Sequence, residues 1–213
     1  MTLDEVGAAA LPEHLAIMGA LHTNADDAIG EGTLLLLGPH EPGFWSHFQS
    51  SPEWNDAAPD PMDRWSRRVI SGLATALGGQ AFFPFGDTLH PFMRWAIRSA
   101  RAWSSPVHLL VHDRAGLMIS FRGALLLPRL MTLPPPPPKP CDTCTDRPCT
   151  TACPAGALTP EGYSLDACHS FLDLPKGGSC LSDVCAVRRS CPISASYGRI
   201  EAQSAYHMER FHP

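Results

Sequence analysis

Eight cysteines are the residues most able to do chemistry in this chain, and all of them fall between Cys141 and Cys191. They run Cys141-x2-Cys144-x4-Cys149-x3-Cys153-Pro154, then Cys168, then Cys180-x4-Cys185-x5-Cys191-Pro192. A thiolate is a soft metal ligand as well as a redox group. In a compartment that keeps thiols reduced, so local a concentration points to metal rather than to disulfides. Two features narrow the metal. A run of four cysteines ends in a cysteine–proline pair, and a second such pair closes the set. A [4Fe-4S] cube takes four thiolates, three from one tight loop and the fourth from elsewhere. Where one chain holds two cubes, the cysteine before proline ligates the other cube. The proline stops the local turn and sends the chain onward.

That rule pairs Cys141, Cys144 and Cys149 with Cys191, and leaves Cys153, Cys168, Cys180 and Cys185 for a second cluster. Two complete sets result, with none left over. The usual first run has two residues between its second and third cysteines, where this chain has four (Thr145 to Pro148). Two zinc sites of four cysteines each would use similar ligands, and a disulfide scaffold is the third alternative. Arg188 and Arg189 would raise a cluster's potential if they pointed inward, and would be solvated surface charges if they did not.

The elements that must position these thiols follow from the rest of the chain. Leu133 is followed by five prolines, then Lys139-Pro140. Such a run favours a polyproline II spacer and cannot join a helix or a central strand. The expected organisation is therefore an α/β domain over 1–133, a linker over 134–140, a two-cluster module over 141–192, and a tail over 193–213 that forms a helix from about Ser194 to Phe211. Upstream, the apolar run Thr33 to Leu37, stopped by Gly38-Pro39, predicts a buried strand. Asp60-Pro61 predicts a helix start with Asp60 as N-cap. Met62, Trp65, Val69, Leu73 and Leu77 recur at helical spacing, and Gly78-Gly79 ends the run. A second helix is expected from about Pro91 to Trp103. Val107–Val111 and Leu117–Leu127 are expected as strands around a turn at Asp113 to Gly116. This order gives an α/β or α+β fold with one central sheet. Past Pro140 there are too few apolar residues for an independent core, and metal is the natural substitute.

The remaining composition excludes more than it assigns. Of 213 residues, 44% are hydrophobic and 17% charged, the composition of a buried core rather than of a disordered chain. A net charge of −5 lacks the basic surplus of a nucleic-acid binder. No run of 18 or more apolar residues is present to span a membrane. The first residues lack the basic-then-apolar order of a secretory signal, so a cytoplasmic protein is expected. The ten histidines are scattered. His108 and His112 are four apart on an expected strand, too far to share a metal easily. Gly86 and Gly123 could admit a planar cofactor, or could serve a turn and a bulge. Phe82, Phe83, Phe85, Phe92, Trp95 and Trp103 form an aromatic set best explained by packing.

The strings "CDTC", "CTTACPAGAL", "YSLDACHSFL" and "SCLSDVCAVRRSCP" resemble the dicluster ferredoxin module of epoxyqueuosine reductase. Cys168 stands where that family's solitary cluster cysteine follows a "LDA"-like stretch. Upstream, "LLLLGPHEPGFW", "DPMDRW" and "VHDRAGLMISFRGALLLPRLMTLPPPPPKPCD" are similar to the cobalamin-processing family altered in methylmalonic aciduria type C. Together these resemblances imply a nitroreductase-like α/β fold ahead of a loop-rich ferredoxin module, with cobalamin or another corrinoid as a cofactor. They imply an aspartate general acid, for which Asp87 and Asp113 are candidates, and corrinoid or substrate contacts at His90 and His112. Three functions are therefore expected to compete. They are an iron–sulfur electron-transfer protein serving a redox partner, a corrinoid-linked reductase, and a structural zinc module for protein contacts.

Overall fold

The computed structural model describes all 213 residues. Up to the proline run the elements are α1 (Leu3–Ala10), β1 (Leu15–His22), β2 (Thr33–Pro39), α2 (Phe44–Gln49), α3 (Pro52–Asn55), α4 (Pro61–Leu77), β3 (Gln80–Phe82), α5 (Phe92–Arg98), β4 (Ala102–Ser104), β5 (Leu110–His112) and β6 (Gly123–Leu127). Beyond it come α6 (Pro140–Thr143), β7 (Leu158–Thr159), β8 (Gly162–Tyr163), α7 (Leu165–Leu172), α8 (Gly178–Ser182), α9 (Ala186–Ser190), α10 (Pro192–Ser196) and α11 (Glu201–Phe211). No helix is long and apolar enough to cross a membrane.

The chain divides into two compact units, 1–101 with 120–136, and 102–119 with 137–213. The first is a mixed α/β unit on one antiparallel sheet of order β1-β2-β6-β3. Its two central strands are buried along their whole length, from Thr33 to Pro39 and from Gly123 to Leu127. An uninterrupted apolar run suits a strand covered on both faces. Helix α4 packs on β6 and β3 through Met62, Trp65, Val69, Ile70 and Ala74. Gly123 lets it come close, because a Cβ there would stand 2.7 Å from Ile70 Cδ1 and 3.0 Å from the Phe82 carbonyl oxygen. That glycine serves helix–sheet packing. Trp65 also takes the edge-on contacts of Phe44 and Phe48, at 5.4 and 6.0 Å between centroids. All three rings are fully buried, and burying each contributes about 2 kcal/mol.

One buried charge ties α5 to the turn after β1. Asp27 accepts hydrogen bonds from Trp95 Nε1 (2.9 Å), Arg98 (2.5 Å) and the Asn24 backbone N–H (2.9 Å). Burial pushes the Asp27 carboxyl up, but these donors, Arg98 foremost, hold it below the usual carboxylate range. Near the end of the unit the Met131 N–H donates to Thr33 Oγ1 at 2.9 Å, and Thr33 Oγ1 donates to the Arg129 carbonyl at 2.8 Å. Residues 132–139 then form neither helix nor strand.

Several expected boundaries move. The unit boundary is not at the proline run alone, because 102–119 belongs with the cysteines. The expected strand Leu117–Leu127 is a strand only from Gly123, since the chain passes between units at 119–120. Val107–Val111 begins with a turn at His108 (φ 60°), and β5 starts at Leu110. The helix expected to reach Trp103 stops at Arg98, followed by Ala100 in the left-handed region (φ 52°). Asp60 does not cap α4 with its side chain, and its backbone is left-handed (φ 51°). Arg64 secures that loop instead, with a bidentate pair to Asp56 at 2.7 Å and bonds to the carbonyls of Glu53 and Pro59. The expected tail helix is two, α10 and α11, separated around Gly198 (φ 84°).

Candidate metal centres

The second unit is built of short elements around a small apolar core. Val107, Val111, Leu117, Cys149, Leu158 and Val187 pack together, with Trp103 and Leu109 against them. Four of these eight residues come from Trp103 to Val111 and a fifth is Leu117, so the cysteine segment draws its core from the chain ahead of the proline run.

The backbone turns at several of the cysteines. Cys141 lies in α6, opened by Pro140 at its first position, and Cys144 ends that helix with extended backbone (ψ 92°). Arg147 takes left-handed geometry (φ 40°) and starts the short turn that holds Cys149. Cys191 ends α9 and precedes α10 in extended conformation (φ −69°, ψ 123°). Pro192 enforces that, because the residue before proline is driven out of the α region. At the other cysteine–proline pair the chain curls round the sulfur. Gly156 N–H donates to the Cys153 carbonyl at 3.1 Å, and Ala157 N–H points at Cys153 Sγ from 3.3 Å. Cys168 rides on α7, whose start is capped by Ser164. Cys180 is buried in α8, and Cys185 opens α9.

The electrostatics sort the thiols into two quartets. Burial pushes the Cys141 thiol up, and Cys149, Cys191 and Cys144 push it further while Lys139 pulls it down. Burial also raises Cys149, seconded by Cys191 and Cys144. Burial raises Cys168 as well. There Tyr163, by hydrogen bonding, favours the thiolate, while Cys185, Cys153 and Cys180 oppose it. Cys141 and Cys149 therefore have Cys144 and Cys191 as neighbours, all four lining one cavity, and Cys168 has Cys153, Cys180 and Cys185 near it. Two segments each serve both groups: Cys149 and Cys153 in one, Cys185 and Cys191 at the two ends of α9 in the other. The six-residue step from Cys185 to Cys191 spans about 9 Å at helical rise.

Clustered, partly buried thiols such as Cys141 and Cys149 resist ionising together, and a positively charged group among them relieves that resistance. All eight cysteines are free thiols, so none is spent in a disulfide. No three His, Cys, Asp or Glu side chains converge as the ligands of one ion would. A tetrahedral zinc site puts its sulfurs about 3.8 Å apart. A four-iron cube makes a different demand, because each iron takes its own thiolate, so the ligands surround a volume. The first quartet does line a cavity of about 180 Å³. The donor set, its grouping and this cavity fit a cube at the first quartet, and the donor set and grouping fit one at the second.

Arg188 and Arg189 part company. Arg188 is half-buried and donates to the Leu117 carbonyl. Burial pushes its guanidinium down, while Cys185 and Tyr163 favour its charge. Arg189 faces solvent and pairs with Asp183 at 3.1 Å. Sequence reasoning passed over Tyr163, which the β7–β8 hairpin holds against Cys168. Burial and that bond push its phenol up from the ordinary value. It also passed over Gly116 and Ser194. Ser194 Oγ accepts the Leu117 N–H at 2.8 Å, and a Cβ on Gly116 (φ 54°) would stand 2.5 Å from Ser194 N and 3.1 Å from Cys191 Sγ.

The other candidates do not gather into one site. Asp87 is exposed, in the loop where Gly86 takes φ 95°. His90 stacks on Trp95 at 5.7 Å, and both belong to the first unit. His112 and Asp113 lie in the second unit. His112 is fully buried, and its Nδ1 accepts the Arg114 and Ala115 N–H groups at 3.0 and 3.2 Å, which makes it a turn brace. His108 is exposed and its Nε2 lies 2.7 Å from the Pro160 carbonyl. Phe83, Phe92 and Trp95 are buried in the first unit's core, whereas Trp103 packs in the second. Comparison of the chain with protein-family models, with curated proteins and with solved structures found no match in any of the three.

Proposed function

We propose that this chain is an iron–sulfur electron-transfer protein with two [4Fe-4S] clusters, one on Cys141, Cys144, Cys149 and Cys191, the other on Cys153, Cys168, Cys180 and Cys185. The observation that carries the proposal is eight free thiols between Cys141 and Cys191, of which Cys141, Cys144, Cys149 and Cys191 line one cavity. Such clusters take up and release single electrons.

The chain's own groups set the conditions for that chemistry. The Ala157 N–H donates to the Cys153 sulfur of the second group, and Tyr163 lies beside Cys168. Arg188 adds positive charge beside Cys185. Hydrogen bonds and positive charge near sulfur favour the more negative, reduced state and so raise a potential. Helix α9 links the two groups, with Cys185 at its start and Cys191 at its end.

Anaerobically prepared protein is expected to be brown, with visible absorbance that bleaches on adding dithionite. Colourless protein would end the proposal, and zinc in place of iron would make the second unit a structural interaction module. Titration with cob(II)alamin separates the remaining alternatives. An unchanged corrinoid spectrum and no co-elution on gel filtration are expected if a partner protein takes the electrons. Tight retention would make the chain a corrinoid-linked reductase, and would lend the nitroreductase-like reading of the first unit its first support.

A further inference from the structure

Among the polar side chains around the first quartet's cavity, one has nothing to bond to. Ser105 lines that cavity together with Cys141, Cys144, Cys149 and Cys191. Only 6% of the residue is exposed, and its hydroxyl has no hydrogen-bond partner in the chain. Its backbone is already committed. The Ser105 N–H donates to the Leu109 carbonyl at 2.8 Å, and its carbonyl accepts the His108 N–H at 3.1 Å. This tight turn between β4 and β5 fixes where the side chain starts. The other polar side chains on the cavity differ. Thr143 donates its hydroxyl to the Pro140 carbonyl, and Arg147 is exposed.

Burying a hydroxyl without a partner is costly, and native chains rarely leave one so. We infer that Ser105 donates its hydroxyl hydrogen bond to a sulfur of the first cluster and so raises that cluster's reduction potential. The inference rests on the two-cluster reading. A reduced cluster carries one more negative charge and accepts a hydrogen bond more strongly than an oxidised one. The donor therefore stabilises the reduced state more. It acts at one quartet only, so the two clusters differ in potential for a reason built into the β4–β5 turn. Ser105 is a positioning and tuning residue, since the thiolates alone hold the iron.

The test compares the full wild-type chain with S105A and S105T, all prepared anaerobically, by redox titration followed by electron paramagnetic resonance. C191S, which lacks the first cluster, identifies which signal belongs to it. In S105A the first cluster's one-electron equilibrium should shift about tenfold toward oxidation, a potential lower by about 59 mV, with the second unchanged. S105T, which keeps a hydroxyl, should stay near wild type. Loss of the first cluster in S105A but not in S105T would also support the hydroxyl's role. Unchanged potentials in a fully loaded S105A, or equal change in S105A and S105T, would overturn the inference and leave the two-cluster reading standing. A wild-type chain without iron would instead defeat the reading beneath it.

Discussion

In the first unit, Leu34 to Leu37 and Gly123 to Leu127 bury every side chain in unbroken succession, and a 17-residue helix lies on the sheet they form. Beyond residue 137 no more than two consecutive residues are buried, and the elements that carry cysteines are three to eight residues long. The first region is held chiefly by hydrophobic burial. The second places thiols where a core would place leucines: Cys149 and Cys180 are 8% and 6% exposed. A cluster of thiols that oppose one another's ionisation is a weak core until a cation is added. The difference teaches that burial holds the first region while, on the proposed reading, metal would hold the second, so that the two should fail under different insults.

The largest contrast should appear on removing iron. Chelation under reducing conditions is expected to open the second unit while the first stays folded. Hydrogen exchange would show it, with amides of Leu35, Leu36 and Leu125 still protected and those of Leu172 and Val187 exchanging freely. Uniform protection or uniform loss would erase the distinction. Next in size, C191S should lower iron to about half by emptying the first site, and C168S to about half by emptying the second. Loss of all iron from either variant, with the fold intact by circular dichroism, would refute the division of ligands. The reverse insult is W65A, expected to cost about 3–5 kcal/mol in urea denaturation of the first unit, with iron per folded chain unchanged.

Smaller changes sharpen the same comparison. G116A forces a side chain onto φ 54° and against Ser194 and Cys191, at a cost of about 1–3 kcal/mol. Iron analysis should show the first site depleted ahead of the second. D27N should cost the first unit about 1–2 kcal/mol at pH 7 by weakening a charged hydrogen bond. Asp27's carboxyl is held low in the folded chain, so its contribution is full above about pH 4. It is lost as pH falls through the lower folded value, because the unfolded chain then binds the extra proton first. Acid denaturation followed by tryptophan fluorescence should show this slope in wild type and its absence in D27N.

What could be seen in the sequence was whatever one kind of residue decides alone. The Met62-to-Leu77 period with Gly78-Gly79 behind it gives α4 its end, and the leucine run gives β2. Cysteine spacing alone gives a division of the thiols into two quartets. Strand β1 was missed because Leu15 to His22 mixes alanine, methionine and glycine with a single β-branched residue, and is fixed by pairing with β2 around an irregularity at Ile17–Gly19. The end of α5 was missed because Ala100 turns left-handed without a glycine to announce it. The assignment of 102–119 to the cysteine unit depends on Val107, Val111 and Leu117 meeting Val187 some seventy residues later, a contact no local pattern reports. Ser105 and Tyr163 carry no motif at all. The interest of Ser105 lies in its burial and that of Tyr163 in its neighbour Cys168, which only the folded chain supplies.

The claim beneath all of this is that two iron–sulfide cubes stand in for a core in the second unit. Iron and acid-labile sulfide measured together on anaerobically purified chain test it most directly. The account predicts about eight of each per chain, as two cubes require, with no stoichiometric zinc. Two zinc ions per chain, or iron without matching sulfide, would contradict it.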